Sequence, residues 1–180
     1  AYLMTKLKIT VTVFTILLLV FSCSHKSETE TLFSHADALM EEYPDSVRRL
    51  LKLPAEEIEE LSDKECARYA LLLARATDKC KQSLLSCDSL LNVAIDYYDD
   101  DEKEKAVALL YKGRLEAEMN STEEAIVHLQ EGLTIITNYP KEIETRRIIL
   151  SALGNLYYQA NYYEEAINVY QELYKYCTVF

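Results

Sequence analysis

The sequence predicts an all-α protein built from antiparallel helix pairs. Three observations carry that reading. Glycine and proline number three each in 180 residues, and a sheet protein would need more of both for its turns. From about residue 31 onward apolar residues recur at helical spacing, punctuated by helix-start signals. The chain also repeats itself: a shift of 41 residues aligns 109–133 with 150–174.

The elements follow in order. Ala36, Leu39 and Met40 mark a first short helix, expected to end at Pro44. Asp45 or Ser46 caps a second, with Val47, Leu50 and Leu51 inward. Pro54 suits the first position of another, where its missing N–H costs nothing. Ser62-Asp-Lys-Glu65 reads as a capping box, in which the serine hydroxyl accepts from the third helical amide and the glutamate accepts from the cap amide. The helix that follows, about 63–78, points Tyr69, Leu72, Leu73 and Ala76 inward. Its partner, about 88–99, does so with Leu91, Ala94, Ile95 and Tyr98. Further helices are expected near 101–119, 121–137, 141–159 and 162–176, with Pro140 opening the third of these.

Ten of the 25 aligned positions are identical: Leu109/Leu150, Gly113/Gly154, Leu115/Leu156, Asn120/Asn161, Glu123/Glu164, Glu124/Glu165, Ala125/Ala166, Ile126/Ile167, Gln130/Gln171 and Glu131/Glu172. Ordinary composition would give roughly one or two. Two unrelated amphipathic helices would share apolar positions but not the glycine, the asparagine and the Gln-Glu pair, so the repeat is genuine. These residues resemble the tetratricopeptide (TPR) pattern, strongly over 106–178, moderately over 63–99 and weakly over 31–60. The resemblance implies a right-handed α-solenoid of A and B helices, with units at about 106–139 and 147–180 and a diverged unit at 63–99. In it Gly113 and Gly154 are the small residues of helix A where helix B crosses closely. Ala125 and Ala166 face that crossing from helix B. Leu109 and Leu150 fill the large apolar position early in helix A, and Leu129 and Tyr170 the later one in helix B. Ala74 takes the glycine position of the diverged unit. Ser121 with Glu124, and Asn161 with Glu164, read as caps of the two B helices. The period of 41, against the family's usual 34, adds two helical turns and keeps the inward face.

The N-terminus has a different character. Lys6 and Lys8 precede an apolar stretch from Ile9 to Phe21, too short to span a bilayer comfortably and fitted to a secretory leader. A short membrane anchor or a buried helix is the competing reading. Val20-Phe21-Ser22-Cys23 resembles the lipobox of bacterial lipoproteins, which implies cleavage of residues 1–22 and acylation of Cys23. Several acyl chains, at about 0.8 kcal/mol per buried methylene, make a stable anchor in the lipid bilayer. Residues 23–30 then read as a flexible polar tether, similar to the export signals of Bacteroidales surface lipoproteins. Met4 is the expected start of translation. Taken together, the chain resembles the N-terminal part of a Bacteroidales TPR lipoprotein, on the periplasmic face or the surface of a Gram-negative envelope.

Net charge is −11, and removing residues 1–22 takes away two lysines and no acid. Such a surface repels phosphate backbones, which argues against nucleic acid, and it disfavours peripheral binding to anionic membranes. Of the cysteines, Cys66, Cys80, Cys87 and Cys177 remain once Cys23 is lipidated. Cys80 and Cys87 flank a helix–helix connection at a spacing that allows a disulfide; a buried free thiol is the alternative. His25, His35 and His128 are scattered and no Cys/His cluster has zinc spacing, so neither a metal nor another cofactor is expected. No GxSxG, P-loop, GxGxxG or HExxH motif occurs. The Glu-Glu pairs at 123–124 and 164–165 sit in first helical turns, where the dipole explains them better than acid–base work. The expected protein is not an enzyme.

What remains is binding. The family's groove positions fall on Val107, Leu110, Arg114, Ala117 and Glu118, then on Ile148, Ser151, Asn155, Tyr158 and Gln159. They imply a site for an extended peptide or a helix of a protein partner. Asn155 matches a carboxylate-clamp asparagine, but Ser151 stands where the clamp needs a cation. Seven tyrosines crowd 157–176, offering the last helix as a surface for self-association; Tyr157 and Tyr170 are expected to fill inter-helix gaps instead. The first functional expectation is a scaffold or adaptor at the cell envelope. The second is the sensory, regulatory N-terminal part of a longer TPR signalling or transcription-regulating membrane protein. A glycan-binding role would want tryptophan, and the chain has none.

Overall fold

A computed structural model describes residues 28–100 and 102–177. The leader 1–22, the lipidation residue Cys23 and most of the expected tether lie outside them. Among the described residues there are nine helices and no strand. They are α1 (28–39), α2 (Pro44–Leu50), α3 (Ala55–Glu59), α4 (Asp63–Lys79), α5 (Asp88–Tyr97), α6 (Lys103–Glu118), α7 (Thr122–Thr137), α8 (Ile143–Gln159) and α9 (Tyr163–Cys177). A 3-10 turn, Leu85–Cys87, leads into α5. The long helices pair as α4 with α5, α6 with α7 and α8 with α9, and each pair stacks on the next.

The first helix starts earlier than the composition suggests. Residues 28–30 are already helical, and Thr29 is buried, so the last three residues of the expected tether belong to α1. Phe33, Ala36 and Met40 are fully buried against Val47, Leu51, Tyr69, Leu72 and Ala76. Charge reinforces this packing. Arg68 of α4 reaches Glu30 at 2.7 Å and Asp37 at 2.9 Å, while Arg75 and Lys79 share Glu41. The polar composition of 28–30 conceals the start of α1, where Glu30 has its partner on α4.

Capping is mixed. Ser62 and Glu65 form the expected capping box. Pro44, expected as a stop, opens α2 with Tyr43 at the cap, so Asp45 and Ser46 lie two and three residues past the cap position, inside the first turn. Pro54 is itself the cap of α3, and Pro140 lies in the turn before α8, which starts at Ile143. Ser121 holds the cap position of α7 but makes no side-chain cap bond.

Asn161 is not a cap of α9. It lies just past the end of α8 with φ 65°, and Asn120 does the same after α6 with φ 61°. The backbone bonds around them match: Ser121 N–H donates to Glu116 O and Asn120 N–H to Ala117 O, then Tyr162 N–H to Tyr157 O and Asn161 N–H to Tyr158 O. These are Schellman ends, and the shared asparagine is the side chain that best tolerates left-handed backbone. Lys81 closes α4 identically, with φ 54° and bonds from Lys81 N–H to Asp78 O and Gln82 N–H to Thr77 O.

The helix crossings explain the glycines. A Cβ on Gly113 would stand 2.7 Å from Leu129 Cγ and 3.0 Å from Ala125 O; on Gly154 it would meet the Tyr170 ring at 2.6 Å. Leu129 and Tyr170 therefore fill the space that each glycine leaves. Cys80 and Cys87 are both free thiols rather than a disulfide. Cys87 is buried in an apolar cluster with Ala74, Leu84, Leu91, Tyr111 and Leu115, where burial pushes its thiol up. It behaves as a small core residue.

Candidate functional site

Two clefts open along the faces of α4, α6 and α8. The first, about 610 Å³, lies mainly between α6 and α8. Its walls carry Arg114, Ala117 and Glu118 on one side and Ile148, Ser151, Asn155 and Gln159 on the other, over an apolar floor of Leu129, Ala152 and Leu156. The spacing on α8, with 148, 151, 155 and 159 three or four residues apart, keeps these side chains on one helical face. The second cleft, about 660 Å³, takes in Val107, Leu110 and Ile148. Leu110 is 1% exposed and belongs to the core, so it shapes the cleft without offering a contact. Tyr158 lines neither cleft and is 62% exposed.

The second cleft also contains a row that sequence reasoning missed: Lys64, Arg68, Leu71 and Arg75 of α4. The signal was present. Ala74 in the glycine position sets a shift of 39 residues between α4 and α6, which puts Arg68, Leu71 and Arg75 opposite Val107, Leu110 and Arg114.

Charges at the clefts are largely paired within the protein. Arg114 meets Asp78 at 2.8 Å. Burial raises the Asp78 carboxyl above its usual range, and the Arg114 guanidinium only partly offsets this. Arg147 meets Glu144 at 2.7 Å. The Glu118 carboxylate accepts from Leu84 N–H at 3.1 Å and from the Ser83 hydroxyl at 2.8 Å, so it ties the end of α6 to the α4–α5 connection. Asn155 Oδ1 accepts from the Tyr170 hydroxyl at 2.7 Å. The arrangement is a pre-shaped, charge-balanced surface. Among the described residues no cluster of His, Cys, Asp and Glu could hold a metal ion. Glu123, Glu124, Glu164 and Glu165 lie in the first turns of α7 and α9 and line neither cleft.

Near the far end of α8, Arg146 is buried. It donates to the Tyr176 hydroxyl at 2.8 Å and to Ile136 O at 3.0 Å, with its guanidinium over the Tyr176 ring. Ile136 is in the last turn of α7, where the helix dipole is negative. Arg146 thus clamps three helices, and its role is structural.

No family model, no curated protein and no solved structure matches this chain. No described helix is long and apolar enough to cross a membrane.

Proposed function

We propose that this chain is a non-catalytic protein-binding scaffold of the TPR type, anchored at a Gram-negative cell envelope through acylated Cys23. The observation that carries the binding reading is the α6–α8 cleft, which gathers Arg114, Glu118, Ile148, Ser151, Asn155 and Gln159 on its walls. Its apolar floor and polar rim suit an extended peptide or a helix, with shape supplying affinity and a few polar groups setting register. The pairing of Arg114 and Arg147 with Asp78 and Glu144 disfavours a strongly charged ligand, which would have to compete with existing partners. The repeated helix ends at Lys81, Asn120 and Asn161 support the right-handed solenoid, since all three A-type helices stop in the same way. Anchoring rests on the basic, apolar and lipobox-like run up to Cys23.

A photo-crosslinking residue at Ser151, introduced in the organism's own cells, should capture a protein partner. The same residue at Val127, 59% exposed on α7 and outside both clefts, should not. Equal capture from both positions, or none from Ser151, removes the cleft as the binding site. In the same cells Cys23→Ala should shift the protein out of the detergent-extracted membrane fraction. Unchanged fractionation would rule out the lipid anchor.

A further inference from the structure

We propose that Tyr111 and Arg75 form a subsite for one side-chain carboxylate of the partner segment, between Arg114 of the first cleft and the α4 wall of the second. The subsite belongs to the groove proposed above and rests on that reading. Tyr111 identifies the place. Its ring is buried in the apolar cluster of Ala74, Leu84, Leu91 and Leu115, and the residue is 5% exposed while lining the second cleft. Among the described residues its hydroxyl makes no hydrogen bond. The polar side-chain atoms that are both sealed from solvent and unbonded there are Arg146 Nε and Arg147 Nε, so the Tyr111 hydroxyl is open to the cleft.

Packing does not ask for that hydroxyl. The shifts of 39 and 41 residues put Leu72 and Ala152 at the corresponding positions of the neighbouring units. A buried ring with an unbonded polar tip leaves a donor to be filled from outside the chain. Burial, with the Asp78 charge beside it, pushes the Tyr111 hydroxyl up, so at neutral pH it keeps its proton and donates.

Charge selects a carboxylate as the acceptor. The charges that act on the hydroxyl are those of Asp78, Arg75, Arg114 and Glu41, which sets both arginines beside it. Arg114 is held by Asp78 at 2.8 Å. Arg75 is the exchangeable one: it meets Glu41 at 2.6 Å, but Lys79 meets the same carboxylate at 2.8 Å. Two cations on one acid leave a positive charge over. Lys79 is the larger cause of the lowered Glu41 carboxyl, so Glu41 keeps a partner when Arg75 turns away. With Glu41 64% exposed, the pair that Arg75 gives up contributes little. A carboxylate takes the Tyr111 hydroxyl on one oxygen and the Arg75 guanidinium on the other; a backbone carbonyl would leave the extra positive charge unmet. Leu71 and Val107, both partly buried, offer apolar surface in the same cleft, so the acid sits between apolar residues of an extended segment.

Peptides selected from a random display library on the full chain in detergent, then measured by fluorescence anisotropy, test this. The selected peptides should share one Asp or Glu between apolar residues. Tyr111→Phe should leave thermal unfolding unchanged, since no bond within the chain is lost. It should weaken those peptides about tenfold or more, the range for a hydrogen bond to a charged group, and Arg75→Gln should do the same. Replacing the peptide's acid by its amide should cost a similar factor on the wild type and about threefold or less on Tyr111→Phe, because the two changes remove one contact. Ser151→Trp, which fills the α6–α8 cleft, should weaken the same peptides. Selected peptides without a common acid, or affinities unchanged in Tyr111→Phe, would overturn the subsite, and the α6–α8 reading would still stand if Ser151→Trp removed binding. Loss of affinity in Tyr111→Phe but not in Ser151→Trp would overturn the α6–α8 reading on which the subsite rests. A library that yields no binding peptide would overturn both.

Discussion

Replacing Gly113 by alanine should destabilise the protein by about 1–3 kcal/mol, while the same change at Gly154 should cost far less, although the two glycines are repeat equivalents. Alanine gains about 1 kcal/mol of helix propensity at either site, so the difference arises from what surrounds the added methyl. At Gly113 it meets Leu129, which is 1% exposed, and the carbonyl oxygen of Ala125. Neither can yield without moving α7 against α6. At Gly154 all three nearest atoms belong to the Tyr170 ring, which is 37% exposed and can swing outward at the expense of its bond to Asn155. Leucine at position 113 should be worse than alanine. Urea denaturation of the four proteins decides the matter: equal losses at 113 and 154 would mean that α7 packs on α6 no more rigidly than α9 packs on α8.

Phe33→Ala should cost about 3–5 kcal/mol, the range for removing a fully buried aromatic ring. Phe33 is 0% exposed, stacks on Tyr69 with centroids 6.4 Å apart and lies under the Arg68 guanidinium at 5.6 Å. Its loss would leave a void beneath α1 and free the cations of α4 that hold Glu30, Asp37 and Glu41. A change below about 0.5 kcal/mol, as expected for a residue on a tether, would mean that α1 does not dock in solution.

The antiparallel pairs over 63–177 were legible because two signals agreed, helical periodicity and exact repetition of small residues at crossings. The crossing of Gly113 by Ala125 was likewise readable from the TPR resemblance, whereas Leu129, the nearest side chain to that glycine, was placed only as a large residue of helix B. Reading failed where one residue type serves two purposes. Asparagine caps helix starts, and it also tolerates the left-handed backbone at helix ends; only the backbone bonds at Asn161 separate these roles. Proline both ends and opens helices, and Pro44 does the second. Residues 28–30 looked like linker because Glu30 is satisfied by Arg68, more than thirty residues away, which no local pattern can reveal. Of the cleft residues, those on α8 came from the TPR resemblance, whose groove positions carry over onto Ile148, Ser151, Asn155 and Gln159. The α4 row was overlooked because its unit lacks the glycine that marks the others, and Leu110 was misjudged because the second cleft closes over it.

Among the described residues the helices with substantial mutual contact lie close in the chain, the widest separation being that of α1 from α4. Contacts of such short sequence separation close small loops, so the entropic barrier to folding is low and assembly should be fast. The same topology gives α7 and α9 different fates. Among the described helices, α6, α7 and α8 each contact helices before and after them, whereas α9 packs chiefly on α8. Amide protons of α7 should accordingly exchange more slowly than those of α9.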